Sequence, residues 1–275
     1  MELMLGKNAS IRIKEELKTK LEKLPRKLTL VSLVNQEDAS SLGYCASQEK
    51  NANALGINYK LIKMTSDEKA YLDKIKEINE DDLIDGCLIT RPLFKGANEE
   101  KIISSLDPLK DVDAMNAYSL GELFINKENA IKPATPNAII TLLDEYNIDV
   151  TGKNVLVIGR SVSVGKPVAM MLLNKNATVT IAHSKTKNLD ELLSNADIVI
   201  VAIGKPHFID SNKMKQGVIV VDAGIHYLET GIVGDVIPSD KCALISKVPG
   251  GVGIITSALL MQNVYSCYMR RKQNG

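Results

Sequence analysis

Apolar and polar positions in the first half of this chain follow two periods that alternate with each other. Segments with apolar residues three to four positions apart predict helices, and the short apolar runs between them predict strands. The predicted helices cover 10–24, 41–55 and 68–78, and the predicted strands cover 28–34, 59–64 and 86–89. This order predicts an α/β domain with right-handed crossovers.

The second half opens a new series of elements. An apolar run, a glycine turn, an amphipathic stretch and an alternating run follow one another at 155–158, 159–165, 168–173 and 178–182. Strand, turn, helix and strand in this order predict the first βαβ unit of a Rossmann-like dinucleotide-binding domain. Continuous apolar runs at 197–203 and 218–221 predict further strands that are buried on both faces of a parallel sheet.

The prolines at 132–136 mark the junction between these two series, and a connecting helix is predicted over 137–146. We therefore expect an α/β fold of two domains. The first covers 1–136 and is joined by the C-terminal helix at 257–275, and the second, Rossmann-like domain covers 137–256. A cleft between two such domains is the usual place for a cofactor and a substrate to meet.

The glycine turn carries the first candidate chemistry. Gly159 and Gly165 let the backbone approach a pyrophosphate at the N-terminus of the following helix, where N–H groups are unpaired. The second strand ends in His183 and Ser184, where an NAD-binding chain usually carries an acid for the ribose hydroxyl. A hydroxyl there, with Arg160 in the turn, suits a 2′-phosphate and indicates NADP. The alternative is a plain strand-to-helix turn, because the G-x-G-x-x-G spacing is absent.

Composition excludes several classes of protein. The chain has 275 residues and a net charge of +1, so it lacks the basic footprint of a nucleic-acid-binding protein. Its 4 cysteines form no C-x-x-C pair and its 3 histidines are widely spaced, so we expect neither disulfides nor a metal site. We find no signal peptide and no apolar run of about 18 residues. These features predict a cytoplasmic protein without a membrane segment.

Four segments together resemble the bifunctional methylenetetrahydrofolate dehydrogenase/methenyltetrahydrofolate cyclohydrolase family. They read DGCLITRPL at 85–93, PLKDVDAMN at 108–116, GRSVSVGKP at 159–167 and PGGVGIIT at 249–256. The resemblance spans nearly the whole chain. It implies oxidation of 5,10-methylenetetrahydrofolate to the methenyl cation with NADP or NAD, followed in most members by hydrolysis to 10-formyltetrahydrofolate. It also implies a homodimer that pairs through the Rossmann-like domains.

The same resemblance implies roles for individual residues. Asp113 matches the carboxylate that binds the pterin ring, and Tyr44 matches the tyrosine beside the folate. The substrate site implied in this way consists of Tyr44, Thr90, Asp113, Pro249, Gly250 and Gly251. Arg160 and Ser184 match the positions that hold the 2′-phosphate. The implied cofactor site consists of Gly159, Arg160, Ser161, Gly165, His183, Ser184, Gly204 and Ile225.

The chain departs from the family pattern at the hydrolytic site. The family reads Y-x-x-x-K, and its lysine catalyses the hydrolysis, whereas here Gln48 follows Tyr44 at that spacing. The family's partner glutamine is replaced by Thr90, with Arg91 beside it. Hydride transfer needs no proton shuttle, but hydrolysis does, and an amide cannot titrate. Lys50 is a poor substitute because two positions along a helix point about 200° away.

We therefore expect a dehydrogenase with Tyr44, Gln48 and Asp113 at its catalytic centre and with weak or absent cyclohydrolase activity. The first alternative is a fully bifunctional enzyme in which another group, such as Lys50 or Arg91, replaces the lysine. Another is a non-catalytic protein that binds folate and NADP. A shikimate-dehydrogenase-like oxidoreductase would share the two-domain order, but the chain lacks the lysine–aspartate pair of that family and carries the PGGVG loop.

Overall fold

The computed structural model describes residues 1–229 and 231–274. The elements of its first half are β1 (Glu2–Met4), α1 (Lys7–Leu21), β2 (Thr29–Asn35), α2 (Ala39–Ala54), β3 (Asn58–Met64), α3 (Glu68–Glu80), β4 (Gly86–Ile89), α4 (Glu99–Ser104), α5 (Ala117–Phe124) and α6 (Ala134–Glu145). Those of its second half are β5 (Asn154–Ile158), α7 (Gly165–Asn174), β6 (Thr178–Ala182), α8 (Leu189–Asn195), β7 (Ile198–Val201), β8 (Ile209–Asp210), β9 (Val218–Asp222), β10 (His226–Leu228), β11 (Gly231–Val233), β12 (Val236–Ile237), β13 (Cys242–Ser246) and α9 (Val252–Asn274).

These elements form two compact units, which we name by their sheets. The six-stranded unit consists of Met1–Ile11, Leu123–Asn126 and Thr135–Thr256. The three-stranded unit consists of Arg12–Glu122, Lys127–Ala134 and the chain from Ser257 onward. The two-domain α/β class predicted from the sequence is confirmed. The N-terminal boundary differs from the predicted one, because β1 pairs in parallel with β13 and so carries residues 1–11 into the six-stranded unit.

The three-stranded unit is built on a parallel sheet in the order β3-β2-β4. Alternate residues of β2 enter two hydrophobic clusters, since successive side chains of a strand point to opposite faces. Leu30 packs in the cluster with α1, α2 and α9, and Val31 and Leu33 pack in the cluster with α3 and α4. The apolar run at 28–34 is therefore a strand covered on both sides.

A buried carboxylate joins three segments of the three-stranded unit. Asp85 is fully buried and accepts two hydrogen bonds from Arg26, at 2.7 and 2.8 Å, and one from Arg271 at 2.7 Å. It also accepts the backbone N–H of Thr29 at 2.8 Å. Because Arg271 lies on α9, this carboxylate fixes the C-terminal helix to the start of β2 and β4.

The six-stranded unit is built on a sheet in the order β1-β13-β9-β7-β5-β6, and every pair in it is parallel. The chain goes from β5 to β6 on one side and then returns to β7 on the other side of β5. This reversal of strand order opens a crevice at the carboxyl ends of β5 and β7, where such sheets bind ligands. Among the described residues, no helix is both long and apolar enough to cross a bilayer.

Candidate functional site

The crevice beside β5 requires glycine at its entrance. Gly159 follows β5 with φ +127°, and a Cβ atom on it would lie 2.3 Å from the carbonyl oxygen of Ala202 after β7. A Cβ on Gly165 would lie 2.2 Å from the carbonyl oxygen of Gly159. Any larger side chain at either position would force the turn open. The turn is therefore closed tightly over the carboxyl ends of the two strands.

Ser161 shapes this turn from inside. Its hydroxyl oxygen accepts the backbone N–H groups of Val164 at 3.1 Å and Gly165 at 3.3 Å, and its carbonyl accepts the N–H of Lys166 at 3.0 Å. Ser161 thus caps the first turn of α7, which begins at Gly165. The positive end of the helix dipole at this turn favours negative charge, as a phosphate group carries.

A second turn lies beside the glycine turn. Ile158 and Ala182 are register partners at the ends of β5 and β6, and the N–H of Gly159 donates to the carbonyl of Ala182 at 2.9 Å. Arg160 and Ser184, both exposed, each follow two positions after this register pair. The structure therefore places the two residues that the sequence assigns to a 2′-phosphate after neighbouring strand ends, and neither turn segment, 159–161 or 183–185, contains an acid.

His183 holds the second turn in shape. Its ring Nδ1 accepts the N–H of Lys185 at 3.1 Å, and its backbone N–H donates to the hydroxyl of Thr186 at 2.8 Å. Its side chain is half-buried, whereas Ser184 and Lys185 face outward. His183 therefore fixes the turn, and the neighbouring hydroxyl of Ser184 and ammonium of Lys185 are exposed.

One carboxylate that the sequence did not single out organises the loop after β7. Fully buried Asp235 accepts the N–H groups of Ile203, Gly204 and Lys205 at 2.8, 3.0 and 2.9 Å. Its Oδ1 also lies 2.7 Å from Nε2 of His226. Gly204, one of the predicted cofactor residues, is thus held by Asp235, and Ile225, another, directly precedes the histidine and is half exposed.

The PGGVG loop also lies in the six-stranded unit. Gly250 has φ +115°, and its carbonyl accepts the N–H of Gly6 at 2.9 Å. The N–H of Gly251 donates to the carbonyl of Lys247 at 2.7 Å. Gly250 and Gly251, which follow Pro249, are therefore fixed to the N-terminal segment and to the end of β13. A Cβ atom on Gly251 would lie 2.7 Å from the carbonyl oxygen of Lys247.

The remaining predicted site residues belong to the three-stranded unit, where α2 carries two of them. Asp38 starts this helix: its side chain accepts the N–H groups of Ser40 and Ser41. Tyr44 and Gln48 lie one helical turn apart on the same side, and Tyr44 is 38% exposed whereas Gln48 is fully buried. Lys50 is exposed on another side of the helix, as its spacing predicts.

Gln48 has a partner that sequence reasoning missed. Its Nε2 donates to Oγ of Ser257 on α9 at 3.3 Å, across 209 positions of the chain. Its Oε1 is buried and has no hydrogen-bond partner in the described protein. The amide is thus held on one side by a serine and retains one free acceptor. No titratable group stands at this position.

Thr90, which stands where the family pattern has glutamine, is bonded to the neighbouring strand. Its hydroxyl and its backbone N–H both donate to the carbonyl of Leu33, at 3.2 and 3.0 Å. The side chain therefore closes the end of the sheet between β2 and β4. The next residue, Arg91, is half-buried and donates from Nη2 to Sδ of Met115 at 3.3 Å.

The loop that carries Asp113 is anchored at both of its sides. The ammonium of buried Lys110 donates to the last carbonyls of α3, those of Ile78, Asn79 and Asp81, at 2.6, 3.0 and 2.8 Å. On the other side, Asn263 of α9 donates to the carbonyl of Val112 at 2.8 Å. Lys110 is therefore a helix-capping group, and Asp113 stands on a rigid support.

Two carboxyl groups in this loop have raised pKa values. Burial raises the pKa of Asp111 to about 6, although it accepts the N–H of Asn116 at 2.6 Å. Burial also raises the pKa of Asp113, and the charge of Arg91 and the N–H of Ala134 oppose this shift. Desolvation of the Tyr44 hydroxyl and the charge of Asp113 both raise the pKa of this hydroxyl. Tyr44, Arg91 and Asp113 therefore form one electrostatic group.

Comparisons with known proteins agree with this arrangement. The family described as "Tetrahydrofolate dehydrogenase/cyclohydrolase, NAD(P)-binding domain" matches residues 133–272, and the corresponding "catalytic domain" family matches residues 4–113. A protein of Clostridium botulinum named "Bifunctional protein FolD" is 43% identical over 276 residues, which cover 95% of this chain and 96% of that protein.

Solved structures give the same result. The bifunctional methylenetetrahydrofolate dehydrogenase/cyclohydrolase FolD of Campylobacter jejuni superposes with a TM-score of 0.94 at 38% identity, over 98% of this chain and 99% of that chain. The Trypanosoma brucei dehydrogenase-cyclohydrolase, solved with NADP and an inhibitor, has a TM-score of 0.92 at 27% identity over 98% of both chains.

Proposed function

Because this chain belongs to the tetrahydrofolate dehydrogenase/cyclohydrolase family, we propose that it oxidises 5,10-methylenetetrahydrofolate to 5,10-methenyltetrahydrofolate with NADP. The observation that carries this proposal is the pair of adjacent turns after β5 and β6. They combine a glycine-closed helix start with Arg160 and Ser184 and contain no acid for a ribose hydroxyl. The relatives named above support the folate substrate.

The residues of the six-stranded unit fit a dinucleotide. Gly159 and Gly165 let the turn close tightly, since a Cβ atom on either would meet backbone atoms, and the pyrophosphate would lie at the positive dipole end of α7, which starts at Gly165. Arg160 and Ser184 would hold the 2′-phosphate, while Asp235 keeps the loop with Gly204 in place. When bound, the nicotinamide ring accepts the hydride. The Trypanosoma brucei relative was solved with NADP, which supports this cofactor, and the family description, NAD(P)-binding, allows either dinucleotide.

The residues of the three-stranded unit fit a pterin. An ionised Asp113 accepts two N–H bonds from the edge of the ring, and Tyr44 offers a flat face with a polar end. Hydride transfer requires that the reacting carbons are held about 3–3.5 Å apart, and it moves no proton. A rigid carboxylate on the loop anchored by Lys110 supplies this kind of positioning.

For the hydrolytic step, the comparisons favour a fully bifunctional enzyme over one that has lost this activity, since the relatives are named for both activities. A bifunctional enzyme needs a group other than Gln48 to move a proton. The opposite proposal, a weak cyclohydrolase, is supported by one local observation: Gln48 is buried, cannot titrate and is bonded to Ser257. The two proposals predict hydrolysis rates that differ by about 10²–10⁴.

We also propose that the protein acts as a homodimer in the cytoplasm. Strand β6 is the last strand of its sheet, and Ile181 on it is 40% exposed, so its edge is available to a second copy. The 4 cysteines are buried free thiols, in keeping with a reducing compartment. Sedimentation of the purified protein tests the dimer: a single species with twice the mass of one chain supports it, and a monomer contradicts it.

Initial rates with purified protein test the proposed reaction. We expect reduction of NADP that depends on methylenetetrahydrofolate and is faster than reduction of NAD at equal concentration. Shikimate should give no NADPH. Tight NADP binding without turnover of the folate would overturn the proposed activity in favour of a non-catalytic binding protein.

A further inference from the structure

Arg91 is a charged side chain that finds no strong hydrogen-bond acceptor within the described part of the chain. Its guanidinium carries five N–H donors in a fixed plane. Among residues 1–229 and 231–274, the hydrogen bond of this group goes to the thioether of Met115, at 3.3 Å. A thioether is a weak acceptor, so the remaining donors of this half-buried group are available to a ligand.

Asp113, in turn, has hydrogen-bond acceptors that the described protein leaves largely unused. Its Oδ1 accepts one long hydrogen bond, 3.4 Å from the N–H of Ala134, and its other oxygen accepts none from the described protein. The charges of Arg91 and Asp113 interact, and Met115, which contacts Arg91, lies two positions from Asp113. A set of free donors and a set of free acceptors therefore stand side by side on rigid supports.

The edge of a 2-amino-4-oxopterin has the matching order of groups. The 2-amino group and the N3–H are donors, and the neighbouring 4-oxo group is an acceptor. We propose that Asp113 accepts the two N–H groups while Arg91 donates to the 4-oxo oxygen, so that Arg91 is a specificity-determining residue for 4-oxopterins. This inference rests on the proposed function and deepens it.

The charge of Arg91 also supports Asp113 itself. Burial favours the protonated carboxyl, which accepts fewer hydrogen bonds, and the guanidinium opposes this by lowering the pKa of Asp113. The two residues therefore act on the same ligand edge in two ways. Replacement of Arg91 should weaken the binding of 4-oxopterins about tenfold or more, which is the usual effect of losing a charge-assisted hydrogen bond.

A pair of ligands that differ at ring positions 3 and 4 tests the proposal. Tetrahydrofolate carries the 4-oxo group and an N3–H. Its 4-amino-4-deoxy analogue carries an N–H donor at position 4, which would face the donors of Arg91, and an unprotonated N3, which would face Asp113. Inhibition constants of both against methylenetetrahydrofolate give a selectivity ratio for each protein. We expect the wild type to prefer tetrahydrofolate at least about tenfold, because a site built to bond a group rejects an analogue without it.

Three variants make the result specific. Arg91→Leu should lower the ratio about tenfold, leaving the part of the preference that comes from the N3–H and Asp113. Arg91→Lys, which keeps a charge and donors, should retain most of the wild-type ratio. Lys95→Leu removes an exposed positive charge four positions away and should leave the ratio unchanged. Thermal melting of each variant shows whether it is folded, and Arg91→Lys is measured even where Arg91→Leu does not fold.

The outcomes distinguish failure of the role of Arg91 from failure of the proposed dehydrogenase function. A wild type that oxidises methylenetetrahydrofolate but does not prefer the 4-oxo ligand would overturn the role of Arg91 alone. The same holds if Arg91→Leu keeps the wild-type ratio. If the wild type neither turns over the folate nor binds either ligand, the proposed function fails and this inference fails with it.

Discussion

Replacing Gln48 by lysine tests the hydrolytic chemistry at the position where the chain departs from its family. Gln48 is fully buried on α2, and its Nε2 lies 3.3 Å from Oγ of Ser257. A lysine side chain there would bring its amine into the same neighbourhood. Because burial disfavours the charged form, the pKa of that amine would be lowered toward neutrality, as a proton shuttle requires.

The structure bounds the expected gain. A positioned acid or base contributes about 10²–10⁴ to a rate. We expect the lower end, about 10²-fold, because the Thr90 hydroxyl is bonded to the carbonyl of Leu33 and offers no amide to orient the new amine. Burying an amine in place of an amide should also lower the free energy of unfolding by about 1–3 kcal/mol. Oxidation of methylenetetrahydrofolate should change little, since it moves no proton.

The assay follows the loss of methenyltetrahydrofolate absorbance without NADP, with the spontaneous rate subtracted. Gln48→Met is the matched control, since it keeps the length of the side chain and cannot titrate. Lys50→Gln tests the exposed lysine as a substitute and should leave the rate unchanged. If the wild type hydrolyses the cation at a high rate and Gln48→Lys adds nothing, another group performs this step and our reasoning about Gln48 is wrong.

Other expectations concern the cofactor, the core and the pH response. Arg160→Ala should reduce the preference for NADP over NAD about tenfold, measured as the ratio of kcat/KM values, because a charge-assisted bond to the 2′-phosphate is lost; an unchanged ratio would place the phosphate elsewhere. Asp85→Ala leaves two arginines without their buried partner and should cost about 3–5 kcal/mol in chemical denaturation. Exposed Asp82→Ala is its control, and equal midpoints would contradict the role of Asp85. Burial raises the pKa of Asp111 from 3.8 to about 6, so the native state binds the extra proton. The contribution of Asp111 to stability should therefore fall by up to ~3 kcal/mol as pH rises from 4 to 7. Asp111→Asn should lack this slope, so the difference in stability between the two proteins should change with pH, and parallel pH curves would refute the prediction.

Elements with long or continuous apolar patterns could be predicted from the sequence. The strands predicted at 86–89 and 178–182 coincide with β4 and β6. The predicted strand at 197–203 ends earlier, at Val201, because the N–H of Ile203 donates to the carboxylate of Asp235 instead of continuing the ladder. The short helices α4, α5 and α8 were missed, since six to eight residues carry too little periodicity.

The two turns after β5 and β6, which we assign to the cofactor, could be predicted because their residues are close in the sequence. Glycine is required at 159 and 165 because a Cβ atom there would clash with the backbone. The environment of Gln48 could not. Its partner Ser257 is 209 positions away, and only the packing of α9 in the three-stranded unit brings the two together. Asp235 was missed for a similar reason: it acts on backbone N–H groups about 30 positions earlier, which no side-chain motif marks.

Dehydrogenase activity can be tested in one absorbance time course with purified protein, methylenetetrahydrofolate and NADP, in which NADPH and methenyltetrahydrofolate are resolved. We predict that NADPH forms only when folate, cofactor and protein are all present, one molecule for each molecule of folate oxidised. With a weak hydrolytic step, methenyltetrahydrofolate accumulates in step with NADPH. The absence of NADPH above the blank, despite bound cofactor, would contradict the claim that this chain is a methylenetetrahydrofolate dehydrogenase.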